Sequence, residues 1–188
     1  MKKNTDTLFK ITSTSFGPVA LLWESHKHRP KVCRILLSKP KISAKQLLKE
    51  LYPNAKALSC DIINQLSDKI EAFLLGDDVR FSLDIVRLDL CTEFQQNVLL
   101  AEYRIPHGSV STYQRIAAHL GKPNGARAVG TALASNPFPI IIPCHRAIRS
   151  DGMLGGYQGG LKMKKTLLEQ EGVQFDQAGK AIIGKIHY

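Results

Sequence analysis

The sequence predicts an α/β domain at the N-terminus, followed by a mainly helical domain that contains a helix-turn-helix. Apolar, β-prone runs and amphipathic helix patterns alternate over residues 1–88, whereas helix patterns dominate residues 92–174. The change of pattern falls at "RLDLC", where we place the boundary. With 188 residues and 44% hydrophobic side chains, the chain is long enough for two small cores. Residues 175–188 are predicted to form a short hairpin and a basic tail.

The first domain begins with a predicted β-hairpin. The runs "GPVALLWES" and "KVCRILLS" are apolar and flank the polar turn "HKHRP". "SAKQLLKELY" carries Ser43 and Gln46 at capping-box spacing and predicts a helix. In "DIINQLSDKIEAFLLG" the apolar residues recur at helical spacing, and Gly76 ends this second helix. "RFSLDI" alternates between apolar and polar residues, which predicts a strand.

The second domain is predicted to begin with a helix from Thr92 towards Tyr103. Thr92 and Gln95 are spaced as a capping box. Near the end of the domain, "LKMKKTLLEQE" predicts another helix, with Glu171 in its last turn. A negative charge there opposes the helix dipole, and a residue that breaks a local rule in this way indicates a function.

Two short helices in the middle of this domain form the helix-turn-helix candidate. Ser111 and Gln114 give capping-box spacing before "TYQRIAAHL", and Gly121 ends that helix. Asn124 is placed to cap the next helix, "GARAVGTALAS". The joining sequence "GKPN" suits a tight turn, although a pair of packed core helices would give the same pattern.

The second helix of the pair is unusually slim. Ala126, Ala128 and Gly130 keep its side chains small, and Arg127 projects near its N-terminus. A slim helix can approach a sugar-phosphate wall closely, which favours the DNA-binding interpretation.

The charge and the N-terminal residues limit the location and the partners. The formal charge of +10 suits a polyanion such as nucleic acid. The N-terminus lacks the apolar core of a signal peptide, and no stretch approaches a membrane span, which predicts a cytoplasmic protein, nucleoid-associated if the cell is prokaryotic. In that reducing location the four cysteines are expected as thiols; they are Cys33, Cys60, Cys91 and Cys144. His26, His28 and Cys33 are possible metal ligands, but a basic hairpin turn is the favoured interpretation, since their spacing matches no familiar zinc module.

One cysteine lies where an apolar segment meets polar chemistry. In "IIIPCHRAIRS", Cys144 follows three isoleucines and a proline and precedes His145 and Arg146. Burial raises the pKa of a thiol, so a reactive Cys144 needs a base, and His145 is the nearest one. In an extended segment these neighbours point to opposite sides, which favours a bridging water over direct contact.

Several motifs around this cysteine resemble the signature of the O6-alkylguanine-DNA alkyltransferases. They are "NPFPIIIPCHRAI", "GGYQGGLKMKKTLLEQEG", "GSVSTYQRIA" and "GARAVGTAL", and together they cover residues 92–174. The resemblance implies a ribonuclease-H-like first domain and a winged-helix-like second domain. It also implies a monomeric DNA-repair protein that binds duplex DNA carrying O6-alkylguanine, flips the damaged base and moves its alkyl group irreversibly onto Cys144. No cofactor or metal is expected for a transfer that each molecule performs once.

The resemblance also implies roles for four further catalytic residues. His145 takes the thiol proton through water, and Glu171 orients the imidazole. Asn136 ties the helix-turn-helix to the active-site segment, and Tyr113 donates a proton or hydrogen bond to the departing guanine.

A last group of residues is implied in DNA and substrate binding. Arg127 matches an arginine finger that fills the gap left by the flipped base. Tyr157 closes the pocket over that base, and Pro139 and Gly159 belong to the pocket. Ala147 stands where many relatives have valine, and this smaller side chain leaves the range of accepted alkyl groups open. The choice between O6-alkylguanine and O4-alkylthymine lesions is open as well.

Three other kinds of protein fit the sequence less well. The first is a binding module of the same family, but such modules lack the cysteine, whereas this chain has Cys144. A helix-turn-helix regulator has no need of Pro-Cys-His-Arg. A cysteine hydrolase places its histidine far away in sequence. Arg146 keeps two interpretations, bracing the pocket or facing phosphate.

Overall fold

Two units divide the chain in the computed structural model, which describes residues 7–182, 184 and 186–188. Unit 1 contains residues 7–90 and Pro137–Ile141; unit 2 contains Cys91–Asn136 and Ile142–Tyr188. The first six residues of the N-terminal stretch and Ile183 and Lys185 of the predicted tail lie outside the described residues. In the described part of the chain no helix has the length and apolar character needed to span a bilayer.

A four-stranded sheet forms the frame of unit 1. Its strands are β1 (Leu8–Thr12), β2 (Val19–His26), β3 (Arg29–Leu37) and β4 (Lys56–Ala57). Their order is β3-β2-β1-β4, with antiparallel pairing except between β1 and β4. The predicted hairpin is therefore confirmed as β2 and β3. Its tip takes a left-handed backbone at Lys27 (φ 50°) and His28 (φ 62°), as tight hairpin turns require.

Two helices accompany the sheet, α1 (Ala44–Leu51) and α2 (Asp61–Leu75). The capping box at the start of α1 is confirmed, because Ser43 Oγ accepts from the Gln46 amide while Gln46 Oε1 accepts from the Ser43 amide. Gly76 ends α2 in the left-handed conformation, also as predicted. Buried apolar side chains of β2, β3 and α1 form one core cluster: Ala20, Leu22, Leu36, Ala44 and Leu48.

The strand predicted over "RFSLDI" is wrong. A 3₁₀ turn occupies Leu83–Ile85, and a second one occupies Leu88–Leu90. Ser82 Oγ accepts from the Asp84 amide at 3.1 Å, so a local side-chain bond takes the donor that a sheet partner would use. Val86, the residue after this run, makes an isolated bridge to Val32.

The possible metal ligands of unit 1 do not form a site. His26 ends β2 and His28 lies at the hairpin tip, while Cys33 lies in β3 and donates to the Leu22 carbonyl at 3.3 Å. Among the described residues no group of three or more His, Cys, Asp or Glu side chains is placed to hold a metal ion. The basic-turn interpretation is the one that the structure supports.

Unit 2 is mainly helical. Its helices are α3 (Glu93–Tyr103), α4 (Tyr113–His119), α5 (Ala126–Ala134) and α6 (Leu161–Gln170). Its short strands are β5 (Ser111–Thr112), β6 (Ala147–Ile148), β7 (Gln174–Phe175) and β8 (Ala181–Ile182). Helices α3, α4 and α5 pack against one another, and α4 and α5 are joined by residues 120–125. The predicted pair of short helices, α4 and α5, and the short C-terminal hairpin, β7 with β8, are confirmed.

Helix starts in unit 2 follow the predictions only in part. Thr92 caps α3 through the Gln95 amide, but the Gln95 side chain reaches Ser135 Oγ at 3.0 Å, so the box is half formed. The predicted cap Ser111 is wrong by one residue, because Thr112 accepts from the Arg115 amide.

The predicted cap at Asn124 is also wrong. Gly125 is the N-cap of α5, and no side chain bonds to the first turn of that helix. The amide of Gly125 donates to the Lys122 carbonyl at 2.7 Å, so the joining turn is closed by backbone bonds.

Parallel pairing of β5 with β6 positions the site. Thr112 lies opposite Ile148, so α4 begins beside the strand that follows Cys144. The C-terminal residues run along the same strand, where Ser111 Oγ donates to the His187 carbonyl at 2.7 Å. The Tyr188 ring stacks on His119 with the ring centroids 3.8 Å apart, which ties this segment to α4.

Candidate active site

Cys144 opens a 3₁₀ turn, Cys144–Arg146, and is 5% exposed. The expected extended segment is therefore wrong. The Cys144 amide donates to the Ile142 carbonyl at 2.8 Å and the Arg146 amide to the Pro143 carbonyl at 2.9 Å, which closes the turn. Side chains in such a turn are about 120° apart, so two consecutive residues can reach a common partner.

That common partner is Glu171. His145 Nε2 donates to Glu171 Oε1 at 2.8 Å, and the two side chains are almost completely buried. A carboxylate only accepts, so this bond fixes the Nε2–H tautomer of the imidazole. Nδ1 of the neutral imidazole then carries no proton.

Arg146 binds the same carboxylate through two hydrogen bonds. Its Nε donates to Glu171 Oε2 and its Nη2 to Oε1, each at 2.8 Å, while Nη1 donates to the Ile105 carbonyl at 2.6 Å. Such a forked contact is the strong form of a charge-assisted hydrogen bond. Arg146 is 8% exposed, so the phosphate-facing interpretation is wrong and the bracing interpretation is correct.

Glu171 lies at the C-cap of α6, as the sequence predicted, but it is buried rather than solvated. Burial alone would raise the pKa of this carboxyl group. The hydrogen bonds and charges of His145 and Arg146 outweigh burial and lower the pKa to about 2. Glu171 is therefore ionised at neutral pH despite the opposing helix dipole.

The thiol and the imidazole are both neutral in the resting protein. Burial raises the pKa of Cys144 to about 12, while a hydrogen bond from the Asn136 side chain acts in the opposite direction. Burial also lowers the pKa of His145, against the hydrogen bond and charge of Glu171. A neutral imidazole is a competent base for the thiol proton.

Asn136 links the end of the helix pair to the active-site turn. Its Nδ2 donates to the Ile142 carbonyl at 3.0 Å, and its own carbonyl accepts from Gln158 Nε2 at 2.7 Å. Both bonds are made within unit 2, and Asn136 is 1% exposed. The bracing that the sequence suggested is present.

Tyr113, at the start of α4, packs against two glycines. A Cβ added to Gly155 would lie 2.7 Å from the Tyr113 hydroxyl oxygen, and Gly155 has φ +68°, which side chains rarely adopt. A Cβ on Gly130 of α5 would lie 3.9 Å from the ring. Burial, with smaller effects from the charges of Glu102 and Cys144, raises the pKa of Tyr113 to about 12. The phenol therefore remains a donor at neutral pH.

Three of the predicted pocket residues lie in unit 2. Tyr157 meets the His145 ring edge to face, with centroids 6.2 Å apart. Gly159 lies against Met163, whose Sδ would collide with an added Cβ. Ala147 is buried in β6. Pro139, the fourth predicted pocket residue, is buried and belongs to unit 1.

The predicted DNA-binding residues line the start of α5. Arg127 and Ala128 are exposed, and Ala126 and Gly130 are half-buried. Apolar side chains hold the opposite face of the helix in the unit: Val129, Ala132 and Leu133. The helix thus presents a slim surface with one projecting cation.

Three residues of the site were not predicted. Gln158 supports Asn136, while Glu102 and Lys164 are both buried close to the active-site turn. Glu102 occupies a position four residues after Val98 and three after Leu99, both buried, so its helical spacing was a usable signal. Lys164 lies three residues before Leu167 and four before Leu168, both buried, so the same spacing was a usable signal there.

Comparison with known proteins places this geometry in a family. Residues 93–173 match the family model described as 6-O-methylguanine DNA methyltransferase, DNA binding domain. The methylated-DNA–protein-cysteine methyltransferase of Methanosarcina acetivorans is 34% identical over 164 residues, covering 87% of this chain and 97% of that protein. The chain belongs to the methylated-DNA–protein-cysteine methyltransferase family.

Other members of the methylated-DNA–protein-cysteine methyltransferase family agree with this placement. The protein of that name from Methanothermobacter thermautotrophicus is 50% identical over 114 residues, which cover 61% of this chain and 64% of the relative. The match thus spans less than two thirds of that relative's length. The crystal structure of Mycobacterium tuberculosis O6-methylguanine methyltransferase superposes with a TM-score of 0.71 at 30% identity, covering 88% of this chain and 92% of that one. The coarse fold prediction, an α/β N-terminal part and a helical C-terminal part, is confirmed.

Proposed function

We propose that this protein repairs DNA by transferring an alkyl group from O6-alkylguanine to Cys144. The observation that carries the proposal is the buried Cys144–Arg146 turn, whose histidine and arginine both bind Glu171. The turn supports the proposal because it contains a buried thiol and, next in sequence, a neutral imidazole that Glu171 orients. The family names support the same chemistry, since the relatives are methylated-DNA–protein-cysteine methyltransferases.

The transfer is a displacement at the alkyl carbon. The Cys144 proton passes, through a water molecule, to His145 Nδ1, and the imidazolium is stabilised by the Glu171 carboxylate. The thiolate then forms a carbon–sulfur bond as the carbon–oxygen bond to guanine breaks, with the electron pair leaving on the base. A thioether has no easy route back to a thiol, so each molecule acts once. The transfer itself needs no metal or organic cofactor.

Tyr113 is the residue proposed to assist the leaving base. Negative charge develops on the purine as the bond breaks, and a hydrogen-bond donor aimed at it lowers the barrier. The raised pKa of Tyr113 keeps its proton in place for that bond. Tyr157, Ala147 and Gly159 are proposed as walls around the purine and its alkyl group.

Helix α5 is proposed to enter the minor groove of duplex DNA. Its small side chains permit a close approach, and the exposed Arg127 is placed to fill the gap left by a flipped nucleotide. A Mycobacterium tuberculosis relative, 30% identical with a TM-score of 0.69, has been crystallised in complex with DNA. We infer the same partner here, bound by a monomer.

The finer fold assignments belong to this proposal as well. We infer a ribonuclease-H-like arrangement for the first domain, residues 1–88, and a winged-helix-like arrangement for residues 92–174. The sheet of unit 1 with its two helices and the α4–α5 pair of unit 2 support these assignments. Residues 175–188 are treated as a C-terminal extension.

A stoichiometric assay tests the function. Limiting protein is mixed with excess duplex that contains one O6-methylguanine, and repaired lesions are counted over time. The expected result is one repaired lesion per protein molecule and then no further reaction. Continued turnover, or no repair by folded protein, would contradict the proposal.

A further inference from the structure

Two ionisable residues beside the site have no part in the proposed mechanism. Glu102, in α3, and Lys164, in α6, both have 0% exposure. A charge buried this deeply costs several kcal/mol unless another charge balances it. Each residue therefore needs a partner, and the partner determines what it does.

Lys164 joins the two ends of the segment that leads into the pocket. Its Nζ lies 2.6 Å from the Ala147 carbonyl oxygen, 2.5 Å from that of Leu154 and 3.5 Å from that of Gly156. An ammonium group has three N–H donors, whereas a neutral amine has two, so three carbonyl partners fit the charged form. Carbonyls are neutral, however, and leave the charge unbalanced.

Only two carboxyl groups among the described residues of unit 2 are buried, Glu102 and Glu171. Glu171 is already engaged by His145 and Arg146. The oxygens of Glu102 have no hydrogen-bond partner among the described residues. Glu102 is therefore the carboxyl group available to balance Lys164.

The electrostatics of the pair agree with this assignment. Burial raises the pKa of Glu102 to about 8, against the charges of Lys164 and Arg146, so Glu102 gains its negative charge near pH 8. Burial lowers the pKa of Lys164 to about 8, and negative charge on Cys144 and Glu102 acts against burial. Other titratable side chains whose pKa values Glu102 raises are Cys144, Tyr113 and Tyr188.

We propose that Glu102 is the counter-charge of Lys164, and that this pair positions the pocket segment from Ala147 to Gly156. The segment includes Gly155, whose backbone lies against the Tyr113 hydroxyl group, so a shift of the segment moves the proposed donor. Glu102 is thus a positioning residue that acts through Lys164. The effect on alkyl transfer rests on the proposed function, whereas the charge pairing does not.

Glu102→Gln keeps the shape of the side chain and removes its charge. Without the carboxylate, the pKa of Lys164 falls, so near pH 8 the amine loses one N–H and the carbonyl contacts weaken. Transfer from free O6-benzylguanine is expected to slow about tenfold near pH 8. Because a lysine regains its proton as the pH falls below its pKa, the rate relative to wild type should recover towards about pH 6.

Matched variants separate pairing from general disruption. Glu93→Gln, an exposed change on the same helix, should leave the relative rate unchanged at every pH. Lys164→Met removes the contacts themselves, so its transfer should be slow without recovery in acid. The double variant, Glu102→Leu with Lys164→Met, carries neither charge and should be more stable than the Lys164→Met single variant, in which Glu102 loses its counter-charge.

Direct titration of Lys164 decides the pairing even if no alkyl group is transferred. The ¹³C signal of its ε-methylene group, assigned with Lys164→Met, is followed against pH in wild type, Glu102→Gln and Glu93→Gln. The pKa of Lys164 should fall by about one unit or more in Glu102→Gln alone. An unchanged pKa, or relative rates that show no recovery in acid, would overturn the proposal. An unreactive wild-type protein would instead count against the proposed function.

Discussion

His145 and Glu171 are 26 positions apart in sequence, yet Nε2 of one lies 2.8 Å from Oε1 of the other in a buried site. The bond selects the imidazole tautomer and keeps a negative charge where an imidazolium would form. Arg146 holds the carboxylate in place from the other side. In the proposed reaction, this arrangement gives the proton of the buried Cys144 thiol a defined destination.

The first prediction concerns this relay. Removing the carboxylate in Glu171→Gln takes away the group that raises the pKa of His145, so the base weakens and transfer slows by about a hundredfold near neutral pH. His145→Ala should slow transfer similarly, and the double variant should add little, because the groups act together. Single-turnover rates against pH provide the measurement.

The pH profiles should differ in a defined direction. The pKa of Cys144 is raised to about 12, so in both variants the rate should climb with pH as the thiol ionises without help. Wild type should show a shallower dependence above neutrality. A Glu171→Gln protein that follows the wild-type profile would leave the relay unsupported.

The second prediction uses neighbouring glycines. Gly155→Ala places a methyl group 2.7 Å from the Tyr113 hydroxyl oxygen at a φ of +68°, so Tyr113 must move and the backbone is strained. Transfer from O6-benzylguanine should fall about tenfold or more. Gly156→Ala is the matched control, because an added Cβ there meets nothing within 4 Å. Equal rates for the two variants would contradict the placement of Tyr113.

The third prediction separates DNA engagement from chemistry. Arg127 is exposed, so Arg127→Ala should change the free energy of unfolding by less than about 0.5 kcal/mol. Repair of methylated duplex should slow strongly, while reaction with free O6-benzylguanine stays at the wild-type rate. Arg104→Ala removes the same charge from another exposed site and controls for net charge. A parallel loss on both substrates would refute the finger role.

The fourth prediction concerns stability in acid. The pKa of Glu171 is about 2 in the folded protein against an ordinary value of 4.5. Folding therefore stabilises the ionised form of this carboxyl group. The stabilisation, roughly 3 kcal/mol, is present above about pH 4.5 and is lost as the pH falls towards 2.

Urea unfolding at a series of pH values measures this effect. Glu171→Gln should lose stability at neutral pH and show a flatter acid dependence than wild type. Glu169→Gln, an exposed carboxyl change two residues earlier, should follow the wild-type curve. Identical curves for all three proteins would exclude the proposed stabilisation.

Local sequence patterns predicted most elements of the fold. The capping box of Ser43 and Gln46, the left-handed end of α2 at Gly76 and the α4–α5 pair each rest on contacts within a few residues, which a sequence displays directly. The partner of His145 came from the family resemblance rather than from a local pattern, and its bond to Glu171 agrees with that expectation.

Tertiary contacts decided the features that were missed. Thr112 rather than Ser111 caps α4, because the Ser111 hydroxyl group donates instead to the His187 carbonyl of the C-terminal segment. Arg146 is buried because Glu171 and the Ile105 carbonyl, both distant in sequence, satisfy its donors. The segment Pro137–Ile141 groups with unit 1 although the chain on either side belongs to unit 2, and no local pattern reports such an exchange.

Peptide mapping after reaction with O6-methylguanine duplex tests the central claim most directly. Wild-type protein and Cys144→Ser are incubated with excess lesion, digested and analysed by mass spectrometry. Wild-type protein is expected to gain one methyl group, found only on the peptide that contains Cys144. The Cys144→Ser variant is expected to remain unmodified. A methyl group on Cys33, Cys60 or Cys91, or repair by Cys144→Ser, would contradict the claim.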